Sequence, residues 1–306
     1  MKIDVRVTGK TQLLGLIGNP VEHSISPELH NSLSSYLGYD IVYVPLKVEK
    51  QDLGTVVNAL KCLGFIGFNV TIPFKREIMK YIDENTKEAI LMGAVNTVKN
   101  IDGRLFGYNT DAEGFARSFK EEAGVGFSGK KVVLIGAGGV ARSIAVKLAK
   151  EGAEKISLVN RTTLKAIELA DVVNENIREI VQVYNFNDKT FMMAFEESDI
   201  IINTTSLGMF PDVDNTPVKK RNCFNSNQIV YDVIYNPVKT RFLLDAEKMG
   251  AKVINGLGML FYQGISAYEI WTGVKFSEED LRLIFDSFKK ILTELCKKSP
   301  NLLGGR

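Results

Sequence analysis

The second half of the chain carries short apolar runs with no polar alternation, VVLI at 132–135 and III at 200–202. Such runs suit strands covered on both faces by helices, so they predict a sheet inside helical layers. Further strands are predicted at 155–159, 199–203, 229–233 and 252–254, with helices at 140–151, from 165 to about 177 and at 239–249. The first third repeats the alternation. Strands are predicted at 12–17, 41–45 and 67–70, helices at 26–37, 52–63 and 87–92, and a strand from 93–98 that a turn at 100–103 folds back into 104–108. A helix follows over 111–123, and the glycine-rich stretch 124–129 reads as a boundary. At the end, 278–297 is amphipathic, with Leu281, Ile284, Phe285, Phe288, Leu292 and Leu295 on one face. Residues 302–306 read as a disordered tail. The alternation predicts an α/β protein with two separate sheets.

Ser26 followed by Pro27 reads as a helix entrance, serine at the cap and proline in the first helical position. Capping accounts for Ser26 but leaves Ser24 unexplained, and two hydroxyls in one loop can bind a carboxylate. Pro73 reads as another helix start and so puts Lys75 in a first turn, where the helix dipole opposes a cation and pushes its pKa down toward the range useful for proton transfer. Asp111, after Asn109-Thr110, is accounted for by capping alone.

The stretch KVVLIGAGGVA at 131–141 reads as strand, glycine turn and helix start. Its pattern is G-x-G-G-x-A, Gly136, Gly138, Gly139 and Ala141 with Ala137 and Val140 between, rather than the fuller dinucleotide fingerprint. Gly136 permits the tight turn, Gly138 lets backbone approach a pyrophosphate, and Ala141 keeps the helix close to its strand. The anion then sits on the first N–H groups of the helix. About twenty residues on, where NAD-binding units place an acidic residue for the ribose, stand Asn160-Arg161-Thr162. Arg161, with Lys165 one helical turn later, offers cations for a 2′-phosphate, which favours NADP over NAD. Thr204-Thr205-Ser206 follow the carboxyl end of a predicted strand, where open α/β sheets bind ligands.

Composition bounds the rest. The 306 residues are 45% hydrophobic and 24% charged, enough for two domains. A net charge of +2, from 38 basic and 36 acidic residues, points to neither nucleic acid nor an anionic membrane as a partner. No apolar stretch reaches the roughly 20 residues of a bilayer span, and Met1-Lys2-Ile3-Asp4 does not open a signal peptide, which predicts a cytoplasmic protein. Cys62, Cys223 and Cys296 lack disulfide or zinc spacing, and His23 and His30 are the only histidines, so no metal is expected.

Taken together, Ser24-Ile25-Ser26-Pro27, the stretch from Asn69 to Lys75, Gly93-Ala94-Val95-Asn96-Thr97, the stretch from Gly107 to Asp111, the glycine turn, Asn160-Arg161-Thr162 and Gly256-Leu257-Gly258-Met259 resemble the shikimate dehydrogenase family in order along nearly the whole chain. The resemblance implies reversible NADPH-dependent reduction of 3-dehydroshikimate to shikimate, on the route to chorismate and the aromatic amino acids. It also implies a substrate domain, 1–110 completed by 256–306, with a mainly parallel sheet, a Rossmann-type NADP domain at 111–255, and a cleft between them. By the same resemblance Ser24 and Ser26 hold the substrate carboxylate, Thr71, Asn96, Asp111 and Gln263 read the ring hydroxyls with Asn69 nearby, and Lys75 and Asp111 are the catalytic pair. Tyr235, a substrate contact, and Gly258 match positions that line the cleft. Thr204, Ser206, Val233, Gly256 and Met259 join the glycine turn, Asn160, Arg161, Thr162 and Lys165 around the cofactor. The expected partners are small molecules, with the chain a monomer or homodimer. Some family members also take quinate and use NAD; Thr71, where such members can carry serine, and Arg161 point to the shikimate-preferring, NADP-using type. A non-catalytic NADP-binding sensor, or a folate-linked or other two-domain dehydrogenase, would have no reason to keep both serines together with Lys75, Asn96 and Asp111.

Overall fold

The computed structural model describes residues 7–22, 24–186, 188–219 and 223–298. The readings of residues 1–4 and 302–306 and of His23 lie outside these residues, as do those of the side chains of Leu295 and Cys296. Two compact units are present, one from the described residues of 1–110 and 263–302, the other from 111–262.

In the first unit β1 (Gln12–Gly18) pairs in parallel with β2 (Ile41–Lys47) and β3 (Gly67–Val70). The sheet then turns antiparallel through β5 (Thr97–Ile101) and β6 (Arg104–Tyr108), and the short β4 (Glu84–Asn85) closes it beside β6, in the order β2-β1-β3-β5-β6-β4. Three helices precede the second unit: α1 (Ser26–Leu37), α2 (Leu53–Cys62) and α3 (Lys87–Met92). β2 runs on through Pro45, which an edge strand tolerates because one side of its backbone needs no ladder partner. Ile17, Val57, Phe68, Ile78, Val95 and Val98 belong to one buried core.

The second unit is a six-stranded parallel sheet in the order β12-β11-β10-β7-β8-β9. Its strands are β7 (Lys131–Ile135), β8 (Lys155–Val159), β9 (Val181–Tyr184), β10 (Ile200–Asn203), β11 (Ile229–Asp232) and β12 (Lys252–Ile254). Its helices are α4 (Asp111–Ala123), α5 (Gly139–Lys150), α6 (Thr163–Asn176), α7 (Lys189–Glu196) and α8 (Arg241–Lys248). The chain leaves β7 toward β8 and β9, then returns to its other side for β10 to β12. That reversal makes the β7/β10 junction the switch point of a doubly wound sheet. α9 (Leu257–Thr272) and α10 (Glu278–Lys298) complete the chain, and on α10 Leu281, Ile284, Phe288 and Leu292 are buried as the apolar stripe predicted. Among the described residues no helix is long and apolar enough to cross a membrane.

The structure corrects several sequence expectations. Stretch 124–129 is no boundary: Phe127 is buried and stacks on Phe115 and Phe119 of α4, at 5.4 and 4.6 Å, inside the second unit. Lys147 on α5 bonds Glu113 of α4, which adds to the same packing. The chain passes to the first unit at Gln263, within α9, rather than at Gly256. β9 and α7 carry no strong local signal: β9 buries only Val181 and Tyr184, and α7 is a short helix announced only by the Asp188 cap on the Thr190 N–H. No α-helix begins at Pro73. The Lys75 carbonyl accepts the Val95 N–H at 2.7 Å, so it is engaged with a distant segment, and helical turns return only as a 3₁₀ segment at Glu77–Tyr81. The dipole argument for Lys75 therefore has no first turn to act from.

Candidate active site

In the first unit the substrate-side candidates gather at the carboxyl ends of β1 and β3. The Thr71 N–H donates to the Ile17 carbonyl and the Asn19 N–H to the Ile72 carbonyl, both at 2.9 Å, so the loop carrying Ser24 and the turn carrying Lys75 leave the sheet side by side. Gly18 has to be glycine here, because a Cβ would collide with the Thr71 methyl. Ser26 does not cap α1; it is the first helical residue, and the Ser24 hydroxyl accepts its N–H at 3.3 Å. Both serines are half-buried, as are Thr71 and Lys75.

Beneath these loops lies a buried polar network. Asn69 on β3 accepts the Tyr43 hydroxyl at its Oδ1, 2.8 Å, and its amide donates to the Asn96 carbonyl and to Thr97 Oγ1, each at 3.0 Å. Asn96 in turn accepts the Thr110 N–H at 2.8 Å and donates to Thr110 Oγ1 at 3.0 Å. Both amide hydrogens of Asn69 are used inside the protein, so what it contributes is the fixed position of Asn96. One residue earlier, the Lys75 carbonyl holds Val95, the neighbour of Asn96. Lys75, Asn96 and Thr71 are thus brought together by backbone bonds between β3, the 71–76 turn and the segment entering β5. Gln263 stands on α9 beside Gly264, where α9 runs so close to Leu29 of α1 that a Cβ would press on it.

His30 on α1 is fully buried, stacked on Tyr43 with ring centroids 4.4 Å apart, and neither ring nitrogen makes a well-formed hydrogen bond. Burial lowers its pKa to about 3, and the nearby Asn69 side chain offsets only part of this. Burial also holds the Tyr43 phenol well above its ordinary range, with Ser26 offsetting part, so Tyr43 is a fixed donor.

The second unit carries the remaining candidates. Gly136 is buried at φ 110, and a Cβ there would strike Thr204. At Gly138 and Gly139, by contrast, a Cβ would meet nothing within 4 Å, and Gly139 opens the 12-residue α5. The two glycines thus leave open space at the helix N-terminus, where backbone N–H groups can receive an anion. Ala137 and Val140 flank it, and Ala141 is buried against the sheet. At the end of β8 the Asn160 amide donates to the Thr162 carbonyl at 2.9 Å, shaping a turn on which Arg161 is exposed, and Lys165 is exposed in the first turn of α6. No acidic group occupies 160–162, so the donor set fits a dinucleotide with a 2′-phosphate. Thr204 Oγ1 donates to the Ile135 carbonyl at 2.7 Å and Ser206 is exposed beyond it. Gly256 packs so tightly that a Cβ would overlap the Val233 carbonyl; Gly258 is equally close to Ser118, and Met259 is buried. Tyr235 is half-buried, and burial raises its phenol pKa. Asp111 is the first residue of α4 and buried. Among the described residues no group of three or more His, Cys, Asp or Glu side chains is placed to hold a metal ion.

Sequence reasoning passed over Tyr43, Thr97 and Thr110. Their signal is present: each is a hydroxyl residue in or beside a predicted strand, where an apolar residue would serve the core equally well.

Three family descriptions match the chain in order: shikimate dehydrogenase substrate binding domain over residues 16–98, shikimate / quinate 5-dehydrogenase over 118–223, and shikimate 5′-dehydrogenase C-terminal domain over 256–282. The chain is 45% identical over 269 residues to the shikimate dehydrogenase (NADP(+)) of Alkaliphilus oremlandii, covering 88% of this chain and 94% of that protein. It resembles a crystal structure of a shikimate dehydrogenase in complex with NADP+, with TM-score 0.86, 42% identity and coverage of 94% and 99% of the two chains. A second, the shikimate 5-dehydrogenase from Listeria monocytogenes in complex with shikimate and NAD, gives TM-score 0.88 at 38% identity over 95% and 99%. With these matches running through both units, the chain belongs to the shikimate dehydrogenase family.

Proposed function

We propose that this protein is an NADP-dependent shikimate dehydrogenase that interconverts 3-dehydroshikimate and shikimate, a step toward chorismate and the aromatic amino acids. The observation that carries the reading is the tethering of Thr71, Lys75 and Asn96 to the carboxyl ends of β1 and β3 beside Ser24 and Ser26. That set offers two hydroxyls for a carboxylate, an amide and a hydroxyl for ring hydroxyls, and an ammonium for the oxygen being reduced. NADPH, when bound, supplies the hydride.

The rest is done by the chain. Gly138, Gly139 and the start of α5 bind the pyrophosphate, while Arg161 and Lys165 hold the 2′-phosphate and select NADP. Lys75 donates the proton to the carbonyl oxygen in reduction and takes it back in oxidation; Asp111 accepts a hydrogen bond from the substrate. Tyr235 and Gln263 complete the ring contacts, and Asn69 holds Asn96 in place. The protein acts on small molecules in the cytoplasm, as a monomer or homodimer.

A second reading is dual use of quinate and of NAD, and the NAD bound to the Listeria relative favours its cofactor half. One assay separates the two: purified protein is given NADP or NAD, with shikimate or quinate, and the near-ultraviolet absorbance of reduced nicotinamide is followed. NADP reduction with shikimate far exceeding the other pairings is expected. Equal rates with NAD and quinate would replace the first reading by the second, and no turnover in any pairing would sink both.

A further inference from the structure

One buried carboxylate of the second unit ties the ends of β10 and β11 to the residue that caps α8. Asp232, the last residue of β11, accepts the Asn203 amide (3.0 Å) and the Ile234 N–H (3.1 Å) at Oδ1, and the Thr240 hydroxyl (2.6 Å) at Oδ2. Asn203, the last residue of β10, uses its own Oδ1 to accept the N–H (3.0 Å) and the hydroxyl (2.7 Å) of Thr205. The Val233 N–H donates to the Asn203 carbonyl at 3.1 Å, and Thr204 is bonded through both its N–H and its hydroxyl to Ile135 at the end of β7. Asp232, Asn203 and Thr240 are all fully buried.

We propose that Asp232 is a positioning residue for the nicotinamide half of the dinucleotide, fixing the 233–235 segment and, through Asn203, the 204–206 loop. This rests on the reading that the unit binds NADP. The direction of the ligand follows from the topology. The phosphate-reading cations leave β8 and the pyrophosphate cradle leaves β7, so the remaining half of the ligand extends past the switch point over β10 and β11. There the segments that meet it, 204–206 and 233–235, owe their geometry to side chains that no ligand touches. Apolar packing alone would serve the core here. A carboxylate kept inside it, with burial raising its pKa to about 7, is otherwise a cost to the fold, whereas its three hydrogen bonds define two loops at once.

The test compares two ligands by calorimetry: NADP, and adenosine 2′,5′-bisphosphate, which carries only the end held at Arg161. Asp232→Ala should weaken NADP by about tenfold or more, the usual penalty for stranding buried polar partners, while the bisphosphate affinity stays within about twofold of the parent. Asp232→Asn, which retains the oxygen facing Asn203 and Ile234, should restore most of the NADP affinity. Thr240→Val, which removes the hydroxyl on Oδ2 together with its 3.4 Å cap on the Leu243 N–H, should weaken NADP in the same selective way and serves if the alanine variant does not fold. Unchanged NADP affinity in the alanine and valine variants, equal loss of both ligands, or an asparagine variant as weak as alanine would overturn the proposal. Failure of the parent protein to bind either ligand would instead overturn the NADP reading beneath it.

Discussion

The Tyr43 hydroxyl donates a 2.8 Å hydrogen bond to Asn69 Oδ1, and both residues are buried. With both hydrogens of the Asn69 amide held by the Asn96 carbonyl and Thr97, this bond fixes the orientation of the amide and so the path of the chain at Asn96. A tyrosine on β2 therefore governs a ring contact assigned to the loop before β5.

Tyr43→Phe should leave Asn69 Oδ1 unpartnered in the core, at about 1–3 kcal/mol of stability. Urea unfolding should show this cost, and steady-state kinetics should show a raised shikimate KM with a smaller change in kcat. An unchanged KM would mean that Asn96 is held by other contacts.

Lys75→Met should remove the proton donor and keep the stem. A loss of kcat of about 10²–10⁴-fold is expected, with shikimate and NADP affinities, measured by calorimetry, nearly unchanged. Turnover near the parent rate would remove Lys75 from its assigned role. The variant leaves the backbone bond from Val95 to the Lys75 carbonyl in place, so a fold defect is not expected.

Arg161 is exposed on the turn after β8. Arg161→Ala should weaken NADP by about 10–100-fold, the value of one charge-assisted phosphate contact, and leave NAD affinity unchanged. Equal loss for both dinucleotides would place the 2′-phosphate elsewhere. The discrimination should also shrink as salt is raised.

His30 sets an acid limit on stability. Its pKa in the folded protein, about 3, lies below the ordinary 6.5, so between these values the unfolded chain binds the extra proton. Stability must then rise with pH across that window, by at most about 1.4 kcal/mol per pH unit, and gain nothing more from this group above it. Asp232, raised to about 7, acts with the opposite sign: from its ordinary 3.8 up to about 7 the folded state holds the extra proton, and stability falls as pH rises. His30→Phe, which keeps a ring against Tyr43, should steepen the net fall between pH 4 and 6.5 by removing the opposing slope. Denaturation midpoints of parent and variant across this range test the sign; parallel curves would show that His30 titrates normally.

What the residues alone determined is what short stretches of chain decide for themselves. The VVLI run, the glycines that follow it and the helix after them are local matters of burial on two faces, φ and helix polarity. Their reading therefore agrees with β7, with Gly136 at φ 110 and with α5. Only the tertiary structure decided matters that hang on distant partners. Pro73 looks like a helix start until Val95 engages the Lys75 carbonyl, and Ser26 looks like a cap until the Ser24 hydroxyl accepts its N–H. Asn69 looks like a ligand contact until Tyr43, Asn96 and Thr97 take up its amide, and Asp232 looks like the polar end of a strand until Asn203 and Thr240 converge on it. Hydrogen-bonding capacity is written in each residue, but which partner satisfies it depends on segments brought together across the sheet, and no periodicity along the chain records that.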